Sequence, residues 1–482
     1  MRPALILLIL LSTTLSSRGQ RLKMPRIFGT HMVLQRETPF PVWGQAAPGA
    51  TVKVLMDKDP YTTRADSAGK WLLLLPPMPA GGPHVLRVQA GKEELRFEDV
   101  LLGDVWFGAG QSNIQFELHR TQGGPEAVRA ADEPNIRLFT VPTEVSYHPE
   151  ADQAGRWQVC TPETAKNFSG VQYYFGRQLH RDKNVPVGLI NASWGGTPIE
   201  AFLSLEANKS LPYHRQVAQE IEKKPRTEKY VIDRSKTTPQ VPASIFNAMI
   251  HPVMPYGVRG IIYYQGEHNW NHPFRYRQQL RALIEDWRIR WRSGDLPFLV
   301  VQLPGHGEVQ PQPSEHFWAV LRESQREALR LPRTGLAVAI DLGDPKDQHP
   351  TNKKEVGERL ALAAYGVAYG DRIVYSGPVF DSLRTEGNAL RLYFSHTGSG
   401  LIPRNGELLK GFAVAGPDKA FHWAEARITG NQVVVSSPEV PNPVAVRYGW
   451  AGSPGCNLYN REGLPASPFR SDDWELRPDG TW

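Results

Sequence analysis

The sequence predicts an α/β protein: a domain built on a mainly parallel sheet over residues 101–371, with β-sandwich-like regions before it at 20–100 and after it at 372–482. Two patterns carry that prediction. In the middle of the chain the apolar runs VWFGAG, VPVGLINA, GIIYYQG, FLVVQL and GLAVAID alternate with stretches of helical periodicity, the mark of repeated strand–helix units. On either side, short alternating runs are separated by glycine and proline turns. A chain of 482 residues can hold roughly two to four domains and bury at least one large core.

Residues 1–19 read MRPALILLILLSTTLSSRG: an arginine at position 2, an apolar core from Ala4 to Leu11, then small polar residues ahead of Arg18. That run is too short to span a bilayer and fits a secretory signal peptide cut near Gly19 or Gln20, so a secreted or periplasmic protein is expected. The next region, with MVLQRE, PFPVWGQ, TVKVLM, KWLLLLP, HVLRVQA and ELRFEDV broken by APGA, DSAGK, PAGGP and AGKE, predicts a small antiparallel sandwich without a catalytic constellation. In the central region, spacings of three and four mark helix core faces at Phe168, Val171, Phe175 and Leu179, at Leu280, Leu283, Ile284, Trp287 and Trp291, and at Val356, Leu360, Ala363 and Val367. Asn352, with Glu355 three residues on, is a capping candidate that starts the last of these just after His349. Beyond residue 372 the runs ALRLYFSH, GFAVAG, FHWAEARI, QVVVSS and AVRYGW return to the strand pattern of a region that packs on the central domain, and the closing GLPASPFRSDDW reads as chain-end packing, with a loop that walls the substrate pocket as the alternative.

Composition excludes several classes of function. The net charge of +6 arises from 55 basic and 49 acidic residues spread along the chain, and the one dense run, EIEKKPRTEKYVIDRSK, mixes signs, so it is a solvated loop or exposed helix and no nucleic-acid partner is expected. No later segment is long and apolar enough for stable membrane insertion. Two cysteines, Cys160 and Cys456, cannot make a disulfide scaffold; they either pair with each other or stay free. His251, His268 and His272 lack zinc-site spacing, so no metal or other cofactor is expected. Oligomeric state is not legible.

The chemistry-bearing stretch is LLGDVWFGAGQSNIQF, in which an apolar strand runs into a Gly-Ala-Gly turn that presents Ser112. Such a turn offers an accessible hydroxyl together with a backbone N–H able to bond a developing oxyanion. In a parallel sheet functional groups gather beyond the carboxyl ends of the strands. The other strand ends here carry NASWGGTPIEAF with Gly195 and Gly196, GEHNW with Glu267 and Asn269, and DLGDPKDQHP with Asp344, Asp347 and His349. Ester cleavage by a serine needs a neutral imidazole to take the hydroxyl proton, a carboxylate to orient that imidazole, and two or three donors aimed at the oxyanion. Ser112, His349, a carboxylate, the N–H groups of Ser112 and of Gly195 or Gly196, and the Asn269 amide supply that set.

Taken together, GQSN at 110–113, SWGGTPIEA at 193–201, YYQGEHN at 263–269 and DQHPTNKKEVGERLA at 347–361 resemble the four blocks of the SGNH hydrolase superfamily, and more closely the sialate O-acetylesterase family. Both flanks, VLQRETPFPVWGQA and AVRYGWAGSPGCNLYNREGLPASPFRSD, are similar to that family's outer segments. The resemblance implies a flavodoxin-like α/β/α SGNH hydrolase domain, removal of O-acetyl groups from sugars and no metal. It assigns Ser112 as nucleophile, His349 as base, and Ser112, Gly195 and Asn269 to the oxyanion hole. It departs from the pattern at one point: three residues before the histidine, where many members carry the triad carboxylate, stands Lys346. Glu267 of the QGE block is then the first choice of acid and Asp347 the second, and a dyad helped by a backbone carbonyl stays open. Gln111, Trp194 and Gln265 are candidate substrate contacts, although Gln111, like Asn113, could equally be structural, and Trp194, like Trp270, could belong to the core. The expected activity is a serine carbohydrate esterase acting on O-acetylated sialic acid, with acetylated xylan or another polysaccharide as the alternative. A non-catalytic glycan-binding protein is the reading from another class, and the serine and histidine speak against it.

Overall fold

The computed structural model describes residues 21–230 and 239–481, and its organising element is a single strand, Glu93–Gly110, of 18 residues. Its first half pairs antiparallel with Gly81–Ala90, its middle pairs parallel with Val33–Gln35, and its second half is the centre of the main sheet. The boundary expected between residues 100 and 101 therefore falls inside one strand. The sequence reads as two pieces because burial changes along it: exposed and half-buried positions alternate before Val100, and every residue from Val100 on is buried. A strand covered on both faces loses the alternation. The expected signal peptide lies outside the described residues, as does part of the mixed-charge run, whose first residues end the helix Arg215–Glu222.

The main sheet runs, edge to edge, through Thr334–Val338, Phe298–Gln302, Gly260–Tyr264, Glu93–Gly110, Val187–Ser193, Glu133–Thr140 and Trp157–Cys160. All neighbours are parallel except the last pair. Adjacent residues of the central strand face opposite sides: Trp106 meets Phe175 of helix Gly170–Lys183 with ring centroids 4.9 Å apart, and Phe107 meets Trp291 of helix Pro273–Trp291 at 5.1 Å. The last predicted helix begins at Lys354 with Lys353 at the capping position, one residue past the expected Asn352, whose Oδ1 accepts from the Glu355 N–H at 3.3 Å. The elements not anticipated include the strands Asp59–Arg64, Glu133–Thr140, Trp157–Cys160 and Val379–Glu386 and the helix Phe317–Glu327. Asp59–Arg64 and Glu133–Thr140 carry too many polar residues to read as strands, Trp157–Cys160 is only four residues long, and Phe317–Glu327 follows a proline-rich loop.

The N-terminal region is less regular than an antiparallel sandwich. Phe40–Gln45 pairs with Lys70–Leu75, while Thr51–Met56, Asp59–Arg64 and Gly81–Ala90 join the main sheet through the long strand. One apolar core unites this region with the central one, and the C-terminal strands enclose a second, around Leu390, Val433 and Phe469. FHWAEARI divides at Ala424: Phe421–Trp423 pairs with Phe412–Ala415, and Glu425–Thr429 pairs with Gln432–Ser436 in another sheet. The chain end docks on the centre as expected, through Ser467 to Gln302 at 2.9 Å and Arg470 to Glu323 at 3.0 Å. Cys160 and Cys456 are both free thiols. No helix among the described residues is long and apolar enough to cross a membrane.

Asp104, fully buried at the middle of the long strand, binds Arg36 at 2.9 Å, Arg259 at 3.0 Å and the Tyr369 hydroxyl at 2.8 Å. Burial works to raise its pKa, yet the two guanidinium groups hold it below the ordinary carboxylate range.

Candidate active site

From the central strand the chain moves first to one side, through the strand Val187–Ser193, and then crosses to the other, Gly260–Tyr264. The loops after Gly110 and Tyr264 therefore diverge from neighbouring strand ends, which is where a parallel sheet opens a crevice. Gly110 lies at that junction with φ +139°, and a Cβ there would come within 2.0 Å of Tyr264 O. Only glycine lets the two strand ends approach this closely, and the Gln111 N–H donates to Tyr264 O at 3.1 Å.

Ser112 starts a single helical turn, Ser112–Gln115. Its Oγ lies 2.8 Å from His349 Nε2. His349 Nδ1 is 3.5 Å from Asp347 Oδ1, and the same carboxylate accepts the His349 backbone N–H at 2.8 Å. Burial lowers the His349 pKa, Lys353 and Arg120 act in the same sense, and Asp347 opposes them. A neutral imidazole facing a serine hydroxyl is the arrangement a general base requires.

The carboxylate preferred on sequence, Glu267, is placed differently. It is buried, and its Oε1 accepts from the Asn113 amide; no hydrogen bond joins it to His349 among the described residues. Asn113 also donates to Gln348 O at 2.9 Å and accepts from the buried Lys353 ammonium. Burial raises the Glu267 pKa against the Asn113 hydrogen bond and the Lys353 charge. Burial likewise pushes Lys353 down to about 7, with Glu267 and Asp347 opposing. Glu267 thus belongs to a bracket behind Ser112, and Asp347 is the carboxylate beside the imidazole.

Of the oxyanion donors, the Ser112 N–H has no acceptor among the described residues. Gly195 lies against the serine, since a Cβ on it would sit 3.2 Å from Ser112 Cβ, but its N–H donates to Gln115 Oε1 at 2.7 Å. Asn269 is fixed from both ends. Its Oδ1 accepts from the Ile199 N–H at 3.0 Å and from Gln265 at 2.7 Å, and its amide donates to Glu200 at 3.1 Å, leaving one amide hydrogen over. Burial raises the Glu200 pKa, opposed by the bonds from Asn269 and Gln279.

Two candidate substrate contacts have other work. Gln265 is fully buried between Asn269 and Thr197 O, and Gln111 is buried with its Oε1 accepting the His268 N–H at 3.2 Å. Both hold the 265–269 turn. Trp194 is half-buried against the core, whereas Trp270 is 42% exposed and packs on Phe317 at 5.4 Å. Sequence reasoning missed Gln115, Glu200 and Lys353. Glu200 could have been noticed as the acid inside the SWGGTPIEA block; the other two give no signal. No group of three or more His, Cys, Asp or Glu side chains arranged to hold a metal occurs among the described residues.

A serine paired with a neutral imidazole, beside a carboxylate and amide donors, is the equipment of a carboxylic ester hydrolase. The family model described as carbohydrate esterase, sialic acid-specific acetylesterase, matches residues 102–366. The chain is 30% identical to sialate O-acetylesterase of Homo sapiens, the match covering 97% of this chain and 96% of that one, and 29% identical to the Pongo abelii protein of the same name over the same shares. A crystal structure of a carbohydrate acetylesterase from Xanthomonas citri superposes with a TM-score of 0.84 at 42% identity, covering 94% of this chain and all of that one. The chain belongs to the sialic acid-specific acetylesterase family of carbohydrate esterases.

Proposed function

We propose that the protein removes O-acetyl groups from carbohydrate by two-step acyl transfer, with O-acetylated sialic acid as the first candidate substrate. The observation that carries the reading is the 2.8 Å contact between Ser112 Oγ and His349 Nε2 at the crevice of the sheet. Ser112 attacks the acetyl carbonyl as His349 takes its proton. The tetrahedral oxyanion is met by the Ser112 N–H and the spare Asn269 hydrogen, and by the Gly195 N–H once Gln115 yields it; one such donor lowers a barrier by about 3 kcal/mol. His349, charged and steadied by Asp347, then protonates the departing sugar oxygen, and water releases acetate from the serine by the same steps. Five strands of the main sheet support a flavodoxin-like SGNH reading: taken in chain order from Glu93–Gly110 and leaving aside Glu133–Thr140 and Trp157–Cys160 at one end of the sheet, they lie 2-1-3-4-5. Export of the protein is part of the proposal and rests on the 1–19 pattern alone.

Acetylated xylan is the second reading. The Xanthomonas citri enzyme, at 42% identity, is described as a carbohydrate acetylesterase without a particular sugar, which fits either substrate. Acetate release from O-acetylated sialic acid and from acetylated xylan, by wild type and Ser112→Ala, tests both. Wild type is expected to release acetate and the variant to lose roughly 10⁴-fold or more. Inertness of the wild type on both and on p-nitrophenyl acetate overturns the reading.

A further inference from the structure

A cavity of about 240 Å³ opens where the C-terminal strands meet the central domain, and neither Ser112 nor His349 lines it. Its walls are the 313–315 loop, the residues Phe421, Trp423 and Arg447, and the chain end at Trp474 and Glu475. Trp423 is 44% exposed, yet its ring is anchored by an indole N–H bond to Pro311 O at 2.9 Å. Phe421 and Trp474 pack with centroids 5.6 Å apart. Arg447 lies 4.1 Å from the Phe421 centroid and is held at 2.9 Å by both oxygens of the buried Asp472. Trp450 also lines the cavity; it is 7% exposed, and its buried indole N–H has no acceptor among the described residues.

Aromatic faces beside an unmet donor suit a ligand with one apolar face and a hydroxyl edge, which describes a pyranose. The charges select among sugars. Arg447 is neutralised by Asp472, leaving Lys419 against Glu315 and Glu475, so a carboxylate would meet net negative surroundings. The loop that forms one wall also reaches the catalytic histidine's own loop: Gly307 N–H donates to Pro345 O at 3.1 Å.

We propose that this cavity is a carbohydrate-binding subsite for a neutral pyranose, an unacetylated unit of the glycan whose acetyl group is removed at Ser112. The inference rests on the esterase reading above. It is tested by calorimetric titration of the Ser112→Ala protein with lactose and xylotetraose, and with N-acetylneuraminic acid as the anionic comparison. The neutral sugars are expected to bind. Trp423→Ala in the same background weakens them about tenfold, and Trp423→Phe, which keeps a flat face, by no more than about threefold. Equal affinity with and without Trp423, or no binding of neutral sugars by protein with a native melting temperature, overturns the subsite. Hydrolysis of p-nitrophenyl acetate by wild type reports on the esterase reading separately. An active enzyme whose Ser112→Ala form ignores neutral sugars sinks the subsite alone, and an inactive one that binds them through Trp423 sinks the esterase reading alone.

Discussion

His349 Nε2 stands 2.8 Å from Ser112 Oγ although 237 residues separate them in the chain. The contact depends on two loops meeting at the carboxyl edge of one sheet, and burial there keeps the imidazole below its ordinary range. The base must be neutral to work, so the acid limb of kcat/KM should fall below the ~6.5 of a free imidazole. Asp347→Asn removes the group that favours the charged ring. The limb should then move further acid, and kcat should drop roughly tenfold, a modest loss because that side chain is 56% exposed. A limb displaced toward alkaline pH would exclude Asp347 from this role.

Glu267→Gln retains the acceptor for the Asn113 amide and should keep kcat within about threefold of wild type. Glu267→Ala leaves a void and an unmet amide and should lower unfolding stability by about 3 kcal/mol, read from denaturant curves. A thousand-fold fall in kcat for a natively folded Gln variant would, on the scale of about 4 kcal/mol of barrier, return Glu267 to the triad.

Lys353 provides a pH test of the bracket. Its folded pKa of about 7 lies below the ~10.4 of an unfolded lysine, so between those values the unfolded chain holds a proton that the native one has released. Stability from this residue must therefore rise with pH across that window, by roughly 1 kcal/mol per unit, and Lys353→Met should flatten the rise. Identical pH dependence of urea midpoints for the two proteins would refute it.

Asp104→Asn keeps the shape of the side chain but leaves Arg36 and Arg259 without their buried counter-charge. A loss of about 3 kcal/mol is expected, seen as an earlier thermal midpoint. A change under about 0.5 kcal/mol would mean that the cluster contributes no more than a surface pair.

The main strands, three of the helices and the serine and histidine were legible because each follows from a local rule: period, turn chemistry, or a polar cluster at a strand end. Lys353 was not, since TNKKEVGERL looks like the solvated start of a helix. Its burial is decided by the rings of Phe116 and Tyr264, 5.0 and 5.6 Å from Nζ and far away in the chain. Glu267 shows the same limit from the other side. The block locates the carboxylate, but the direction of its side chain depends on Asn113, 154 residues earlier.

The strand Glu93–Gly110 runs from a solvent-facing ribbon to the turn that carries Ser112, a contour of roughly 60 Å at about 3.3 Å per residue, with a bend at Asp99, whose φ is +52°. Recombination between genes exchanges pieces cleanly where the chain is slack, and here it is taut. The N-terminal region is therefore not a detachable accessory. A swap that replaced it at the obvious sequence boundary would cut the strand from which Ser112 is hung.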